Sequence, residues 1–459
     1  MPTQDAVAEL IEYRVVLVQS DSRRVLALDA VGGFRLPRVK IPSWTRPAHQ
    51  LQRTIKMTWN VNALCLDFLP SAKESSPVAV AEVLMIEGPI KLTPIALMQI
   101  HHTELSEPQR ERLLSMLTEK VNGNSSFSQV GWIDEAVAWM ECATGKKLST
   151  KREIEQFNAG GGFALVRLHT EDDCDYWLKA TGEPNTHELS ITMYLSKLNT
   201  GYLPELVSTK PAWNAWLMSG EAIQIPDIPT EPFELFRLLE DVVESMAELQ
   251  MKTEGASLHL LDAGAFDQGM DVFEKHSAAL FDYLEEAMSL QTSTKAPRLE
   301  RQRIQELHAT FEEVCHRMAD LHLPETIVHG DINPGNIVTG AGYCQFIDWC
   351  ETYLGNPLIT LQHLLLLNKV ENLDVREFIN RLLRRKYRDV WATNYDPQGF
   401  EQGFVYMPLV AIASTLYGRG NWLNTPERND PPRLSYARTL ARCMDRAARE
   451  PELLEALCH

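Results

Sequence analysis

The run His329-Gly330-Asp331-Ile332-Asn333-Pro334-Gly335-Asn336, with Asp348-Trp349 following twelve residues after Asn336, constrains this chain more than any other feature. It gathers a carboxylate, an amide and a second carboxylate around one tight loop and the hairpin that follows it. Pro334-Gly335 supplies a sharp turn, which lets Asp331 and Asn336 point into one cavity. Thr326-Ile327-Val328 is a β-branched run leading into His329, and Ile337-Val338-Thr339 with Tyr343–Ile347 reads as a hairpin closed by Gly340-Ala341-Gly342. Asp348 then ends the second strand, folded back beside Asn336. Before the loop, Ile304, Leu307, Phe311, Val314, Met318 and Leu321 recur at helical spacing, and Pro324 stops that helix because it cannot continue the hydrogen-bond ladder. A loop of solvated polar residues would use the same residue types. The conjunction of loop, hairpin and trailing acid points instead to phosphoryl transfer, with Asp331 accepting or orienting the proton of an attacking hydroxyl. Asn336 and Asp348 would hold the Mg²⁺ that neutralises nucleotide phosphates.

At these residues the chain resembles the aminoglycoside phosphotransferase and choline kinase-like family, relatives of the protein kinases. The family's signature is His-Gly-Asp, four residues, Asn, then a strand ending in Ile-Asp-Trp or Ile-Asp-Phe; here His329-Gly330-Asp331, Asn336 and Ile347-Asp348-Trp349 stand in those places. The resemblance implies an α+β, bilobal protein-kinase-like fold with a small β-rich N-lobe and a larger helical C-lobe. It also implies ATP and Mg²⁺ as cofactors, Asp331 as the catalytic aspartate with His329 bracing its loop, and Asn336 and Asp348 as metal ligands. It covers about residues 150–445 in order and spacing. The family often carries a further acid in a Gly-x-Pro-x-x-Asp-Leu pattern, but Gly355-Asn356-Pro357-Leu358-Ile359-Thr360-Leu361 has a threonine there, which leaves the bracing of the catalytic loop open.

Upstream, the parts of an ATP-holding lobe occur in order. Gly160-Gly161-Gly162 precedes the strand Phe163–Leu168 and would let backbone amides approach phosphate oxygens, although a glycine triplet also serves as a plain connection. Lys179, in the strand-like run Tyr176–Ala180, resembles the lysine that reaches the α- and β-phosphates; the alternative is a surface charge on an apolar stem. Glu188 is its natural partner on the following helix. Asn185-Thr186-His187-Glu188 also has capping-box spacing, in which Glu188 would bond the first helical amide. Trp213 and Trp216 could flank a nucleotide base or serve as core.

These readings divide the chain into an accessory domain (1–120), a linker (121–129), a kinase-like N-lobe (130–218), a hinge (219–223) and a helical C-lobe with the catalytic loop (224–459). The accessory segment has the strand order of a Nudix-like α/β fold. From Ala30 to Leu66 it contains no Asp or Glu, while Arg35, Arg38, Lys40, Arg46, Arg53 and Lys56 are all basic. A helix without carboxylates cannot concentrate Mg²⁺ around a pyrophosphate, so a non-hydrolytic domain is expected. Its basic stretch would bind an anionic ligand, dock on the acidic remainder of the chain, or be purely structural.

Composition sets outer limits. A formal net charge of -18 argues against broad nucleic-acid binding and is compatible with a cationic substrate. The eight cysteines lack zinc-site spacing, no apolar leader precedes the first strands, and no segment has the length of a membrane span, so a cytoplasmic enzyme is expected. The expected function is transfer of the ATP γ-phosphate to a hydroxyl of an aminoglycoside-, choline- or sugar-like small molecule. A kinase-shaped module that binds nucleotide without turnover is the alternative. Neither the acceptor nor the oligomeric state is legible.

Overall fold

A computed structural model describes residues 9–43, 45–70, 76–118, 126–198, 201–220, 226–339 and 343–458. The chain is α+β and divides into two compact units, Met1–Leu189 with Glu205–Glu221, and Ser190–Pro204 with Ala222–His459. The first is rich in sheet and the second in helix. The core of the expected linker and the greater part of the expected hinge lie outside the described residues.

The first unit begins with β1 (Leu10–Gln19), β2 (Val25–Ala27), β3 (Arg38–Pro42), α1 (Pro47–Trp59), β4 (Val61–Leu69), β5 (Val78–Ile86), β6 (Thr93–Ile95), α2 (Glu107–Thr118) and α3 (Trp132–Thr144). These six strands form one mixed sheet in the order β4-β5-β1-β2-β6, with β3 also pairing β1. Period-two alternation sends Val15 and Leu17 of β1 into one core and Val16 and Val18 into another. The first core is covered by α1, whose Ala48, Leu51 and Ile55 recur along one face; burying Leu51 and Ile55 contributes about 1.5–3 kcal/mol each. Pro47 opens that helix, where its missing N–H costs nothing, and Asn60 closes it in the left-handed region at φ 55°.

The unit continues with β7 (Glu155–Asn158), β8 (Phe163–His169), β9 (Asp175–Thr181), β10 (Leu206–Lys210) and β11 (Ala215–Ser219); α4 (Glu188–Lys197) starts in it, and from Ser190 onward that helix belongs to the second unit. The strands make a second, five-stranded sheet in the order β10-β11-β9-β8-β7. Ala164, Val166, Leu168, Leu178 and Leu217 of this sheet join Val16, Val18, Leu64 and Leu66 of the first in a single core, with Trp132 and Ile133 of α3. The accessory segment and the strands that follow it therefore share apolar interior within one compact unit. Gln156 adds a polar tie: its Nε2 donates to the Cys65 carbonyl at 2.7 Å and its Oε1 accepts from the Cys65 N–H at 2.6 Å.

The second unit is built from α5 (Pro232–Lys252), α6 (Ser257–Asp262), β12 (Phe266–Gln268), α7 (Met270–Ser289), α8 (Arg301–Asp320), β13 (Thr326–His329), β14 (Ile337–Thr339), β15 (Cys344–Phe346), β16 (Thr352–Gly355), α9 (Leu358–Leu365), α10 (Leu373–Trp391), α11 (Pro397–Tyr417), α12 (Pro431–Ala447) and α13 (Pro451–Cys458). Helix α8 buries Ile304, Leu307, Phe311, Val314 and Met318 at the spacing read from sequence. It stops at Asp320, earlier than the expected Leu323, because tight turns at Leu321 and His322 close it before Pro324. Asn372 and Asp396 cap α10 and α11 with side-chain oxygens. A short sheet, β12-β16-β13, sits among these helices.

Candidate active site

Strand β13 delivers the loop that bears Asp331. It pairs antiparallel with β16, matching His329 with Thr352, and it forms an edge of its sheet. An edge strand exposes alternate N–H groups, and in a buried setting each needs an acceptor. Here threonine hydroxyls supply them: Ile327 N donates to Thr253 Oγ1 at 3.1 Å, and His329 N donates to Thr360 Oγ1 at 3.0 Å. Thr360, which stands where the sequence resemblance expects an acid, thus braces the strand that leads to Asp331.

The His329 ring is fully buried, packs on Trp349 at a centroid distance of 4.6 Å, and has Nε2 3.0 Å from the Ile347 carbonyl. A carbonyl only accepts, so Nε2 carries the proton. This bond fastens the start of the Asp331 loop to the residue preceding Asp348. It suits bracing rather than proton transfer. Gly330 N donates to the Glu351 carbonyl at 2.7 Å, and a Cβ on Gly330 would collide with the Tyr353 ring. Tyr353 in turn donates to Glu351 Oε2 at 2.6 Å, while Arg419 donates to Glu351 Oε1 at 2.7 Å. Burial, and then the neighbouring Glu351 carboxylate, raise the Tyr353 hydroxyl above its ordinary pKa. No local sequence signal announced this Glu351, Tyr353 and Arg419 group, because it assembles residues from the loop after β15, from β16 and from beyond α11.

Within the loop, Asn333 accepts from Gly335 N at 2.9 Å and so sets the turn at Pro334–Asn336. Two amides hold Asp331. Asn336 Nδ2 donates to its carbonyl at 2.8 Å and lies 3.4 Å from Oδ2; Asn333 Nδ2 lies 3.1 Å from the carbonyl and 3.3 Å from Oδ1. Asp331 is exposed and Asn336 is buried. Because the Asn336 nitrogen is turned toward Asp331, its Oδ1 is the end with acceptor capacity for a cation. Ile347 N donates to the Asn336 carbonyl at 3.1 Å, extending the β14–β15 pairing to the residue before Asp348. Asp348 has φ 66°, a left-handed conformation that non-glycine residues seldom adopt and that tends to mark functional positions.

In the first unit, Lys179 projects from β9 and is 6% exposed, and Glu188 begins α4 at 1% exposure. Lys179 Nζ donates to Glu188 Oε1 at 2.6 Å, and lies 4.9 Å from the Phe163 ring and 5.6 Å from that of Trp216. Lys179 is therefore no surface charge. Trp216 is 1% exposed and belongs to the interior. The Gly160–Gly162 segment joins β7 to β8. Gly160 has φ +121°, which favours glycine, Gly162 O accepts from Gly182 N at 2.9 Å, and a Cβ on Gly182 would collide with the Gly161 carbonyl. Asp67, ion-paired with Arg112 at 3.4 Å, lies beside Gly160.

Residues 153–393 match the family model described as the phosphotransferase enzyme family. That stretch contains the glycine segment, the Lys179–Glu188 pair and the loop from His329 to Asp348. No curated protein has a matching sequence. Similar solved structures include a choline/ethanolamine kinase family protein from Mesorhizobium loti, 16% identical, covering 71% of this chain and 98% of its own, with a TM-score of 0.40. A Plasmodium vivax ethanolamine kinase is 13% identical, with coverage of 75% and 94% and a TM-score of 0.44. An ADP-bound aminoglycoside phosphotransferase is 15% identical, with coverage of 68% and 98% and a TM-score of 0.42. Among the described residues no helix is long and apolar enough to cross a membrane.

Proposed function

The chain belongs to the phosphotransferase enzyme family, and from that premise we propose that it moves the γ-phosphate of ATP to a hydroxyl of a small molecule. The observation that carries the proposal is the double amide clamp on Asp331, contributed in part by Asn336, whose carbonyl accepts from the N–H of Ile347, the residue before Asp348. Asp331 is held in one orientation yet exposed, as a group must be if it is to meet an incoming hydroxyl and take or orient its proton.

Asn336 Oδ1 and the Asp348 carboxylate are hard oxygen ligands and fit Mg²⁺, which is commonly held by one or two carboxylates together with substrate phosphates. Bound there, the ion would neutralise charge on the phosphates. Lys179 is assigned to the nucleotide phosphates, with Glu188 fixing its ammonium group. Asp331 then selects the hydroxyl geometry, His329 and Thr360 hold the strand that carries it, and the Gly160–Gly162 turn permits close approach of backbone to ligand. The residues before 121 are assigned to a non-hydrolytic Nudix-like accessory domain, since α1 has no acidic residue in its first turn and none elsewhere along it.

Three features bear on the alternative of a nucleotide-binding module without turnover: Thr360 in place of an acid, the double role open to Glu188, and a glycine segment that can be a plain connection. Thr360 braces β13 and Glu188 meets Lys179, so two of them now fit an active enzyme. The test is a screen of hydroxylated small molecules, including aminoglycosides, choline-like amino-alcohols and sugars, for acceptor-dependent ADP release by the purified chain. An acceptor whose phosphorylation disappears in Asp331→Ala supports the proposal. Turnover within a few-fold of the parent in that variant overturns the role given to Asp331.

A further inference from the structure

A cavity of about 760 Å³ opens in the first unit between α1 and the chain around β7 and β8. His49, Arg53 and Lys56 line it from α1, and Arg152, Glu155 and His169 from the other side. Its volume suits a small molecule. None of these residues belongs to the phosphotransfer set.

Two cations of the basic stretch, Arg46 and Arg53, form no ion pair among the described residues, and of these Arg53 lines the cavity. Of the basic residues that crowd the accessory segment, Arg35 and Arg38 pair with Glu104, Lys40 reaches Glu12, and Lys56 pairs with Glu153 and Glu87. Arg152 reaches Asp175 at 3.4 Å, and the Glu155 carboxylate is matched by Arg167 at 3.4 Å. Arg53 is exposed in the cavity lining and has no acidic partner among the described residues.

His169 supplies an independent observation. Its side chain is 1% exposed, Nδ1 lies 2.6 Å from Asp175 Oδ1, and Nε2 has no hydrogen-bond partner. The nearest carboxylate oxygen, Glu155 Oε1, is 3.8 Å from Nε2, too far for a hydrogen bond. Asp175 is itself fixed by Arg167 and Arg152, so the imidazole is held in place by its far nitrogen. Leaving a buried ring nitrogen unsatisfied is unfavourable, and a ligand group in the cavity would satisfy it.

We propose that this cavity is a second ligand site, distinct from the phosphotransfer residues, that takes a small phosphorylated molecule with its phosphoryl group shared by Arg53 and His169. A guanidinium matches two phosphate oxygens at once. The imidazole Nε2 complements it in either protonation state, donating to a phosphate oxygen or accepting from a protonated one. Pairing of both glutamates with cations leaves the cavity free of uncompensated negative charge near Arg53.

The experiment is a titration of the full chain with inorganic phosphate and, separately, with ribose 5-phosphate, followed by phosphorus NMR line broadening and by the His169 ring resonances. The expected result is saturable broadening, a shift of the His169 signals, and affinity weakened about tenfold or more in Arg53→Ala. Tighter binding of ribose 5-phosphate would identify a phosphorylated metabolite as the occupant; equal binding would identify free phosphate. Asp348→Ala should retain the effect, which separates this site from the proposed nucleotide residues. No saturable binding, binding unchanged in Arg53→Ala, or binding lost in Asp348→Ala would each overturn the proposal. Arg53 is exposed on α1, so its replacement leaves the folded chain available for measurement.

Discussion

Replacing Thr360 by valine removes one oxygen and preserves the shape of the side chain. In the structure that oxygen receives the His329 N–H at 3.0 Å, and Thr360 and His329 are both fully buried. Strand β13 is at a sheet edge, so no neighbouring strand can take over the orphaned donor. A buried donor left without an acceptor costs about 1–3 kcal/mol. For a domain of this size each kcal/mol lowers the melting temperature by about 2–4 °C. The strand also carries Asp331 two residues on, so a shift of His329 should disturb the alignment of the acceptor hydroxyl and lower kcat by about tenfold or more. Thr360→Ser keeps the oxygen and should stay close to the parent in both respects. Thr360→Asp offers a carboxylate acceptor for the same N–H and should retain more activity than the valine variant. Thermal unfolding and steady-state kinetics on the same preparations give both readouts. A valine variant that melts with the parent and keeps its kcat would refute the claim that Thr360 anchors the catalytic strand.

Asp331→Ala should lower kcat by about 10²–10⁴-fold while nucleotide affinity measured by calorimetry stays near that of the parent. Glu188→Ala should destabilise the first unit by about 3–5 kcal/mol, because it strands a buried ammonium group; adding Lys179→Met should recover most of that loss in thermal unfolding, and a neutral single variant would contradict the buried pair. His363 is pushed down to about 4 from 6.5 by burial and then by the neighbouring His329. The unfolded chain therefore binds a proton at this residue near pH 6.5 while the folded chain resists it, so stability should fall as pH drops from about 6.5 toward 4. His363→Gln should flatten that slope in denaturant unfolding followed across the range.

What could be read from the sequence was local. The loop from His329 to Asn336 and the hairpin after it follow from adjacent residues whose turn chemistry is self-contained, and their strands form where those residues indicate. Helix α8 was visible through apolar spacing, although its end was set by tight turns rather than by Pro324. Other features depended on partners distant in sequence. Nothing at position 360 says that its hydroxyl will meet the N–H of residue 329. At Glu188 the sequence offered two roles, partner of Lys179 or capping-box residue, and the 2.6 Å bond from Lys179 Nζ is a long-range fact that capping spacing alone does not contain. The shared interior of the two sheets was equally hidden, because alternation in β1 marks both faces as apolar without naming what covers each. The basic stretch looked uniform in sequence; once Glu104, Glu87 and Glu153 are placed, its ion pairs leave Arg46 and Arg53, and the cavity lining selects Arg53.

The most direct measurement is calorimetric titration of ATP into the parent chain and into Asp348→Ala, each with Mg²⁺ present and then chelated. The account predicts that Mg²⁺ strengthens nucleotide binding in the parent and that this enhancement is lost in the variant, whose fold is unchanged by circular dichroism. Equal enhancement by Mg²⁺ in both proteins would contradict the assignment of Asp348, with Asn336, to the metal-nucleotide site.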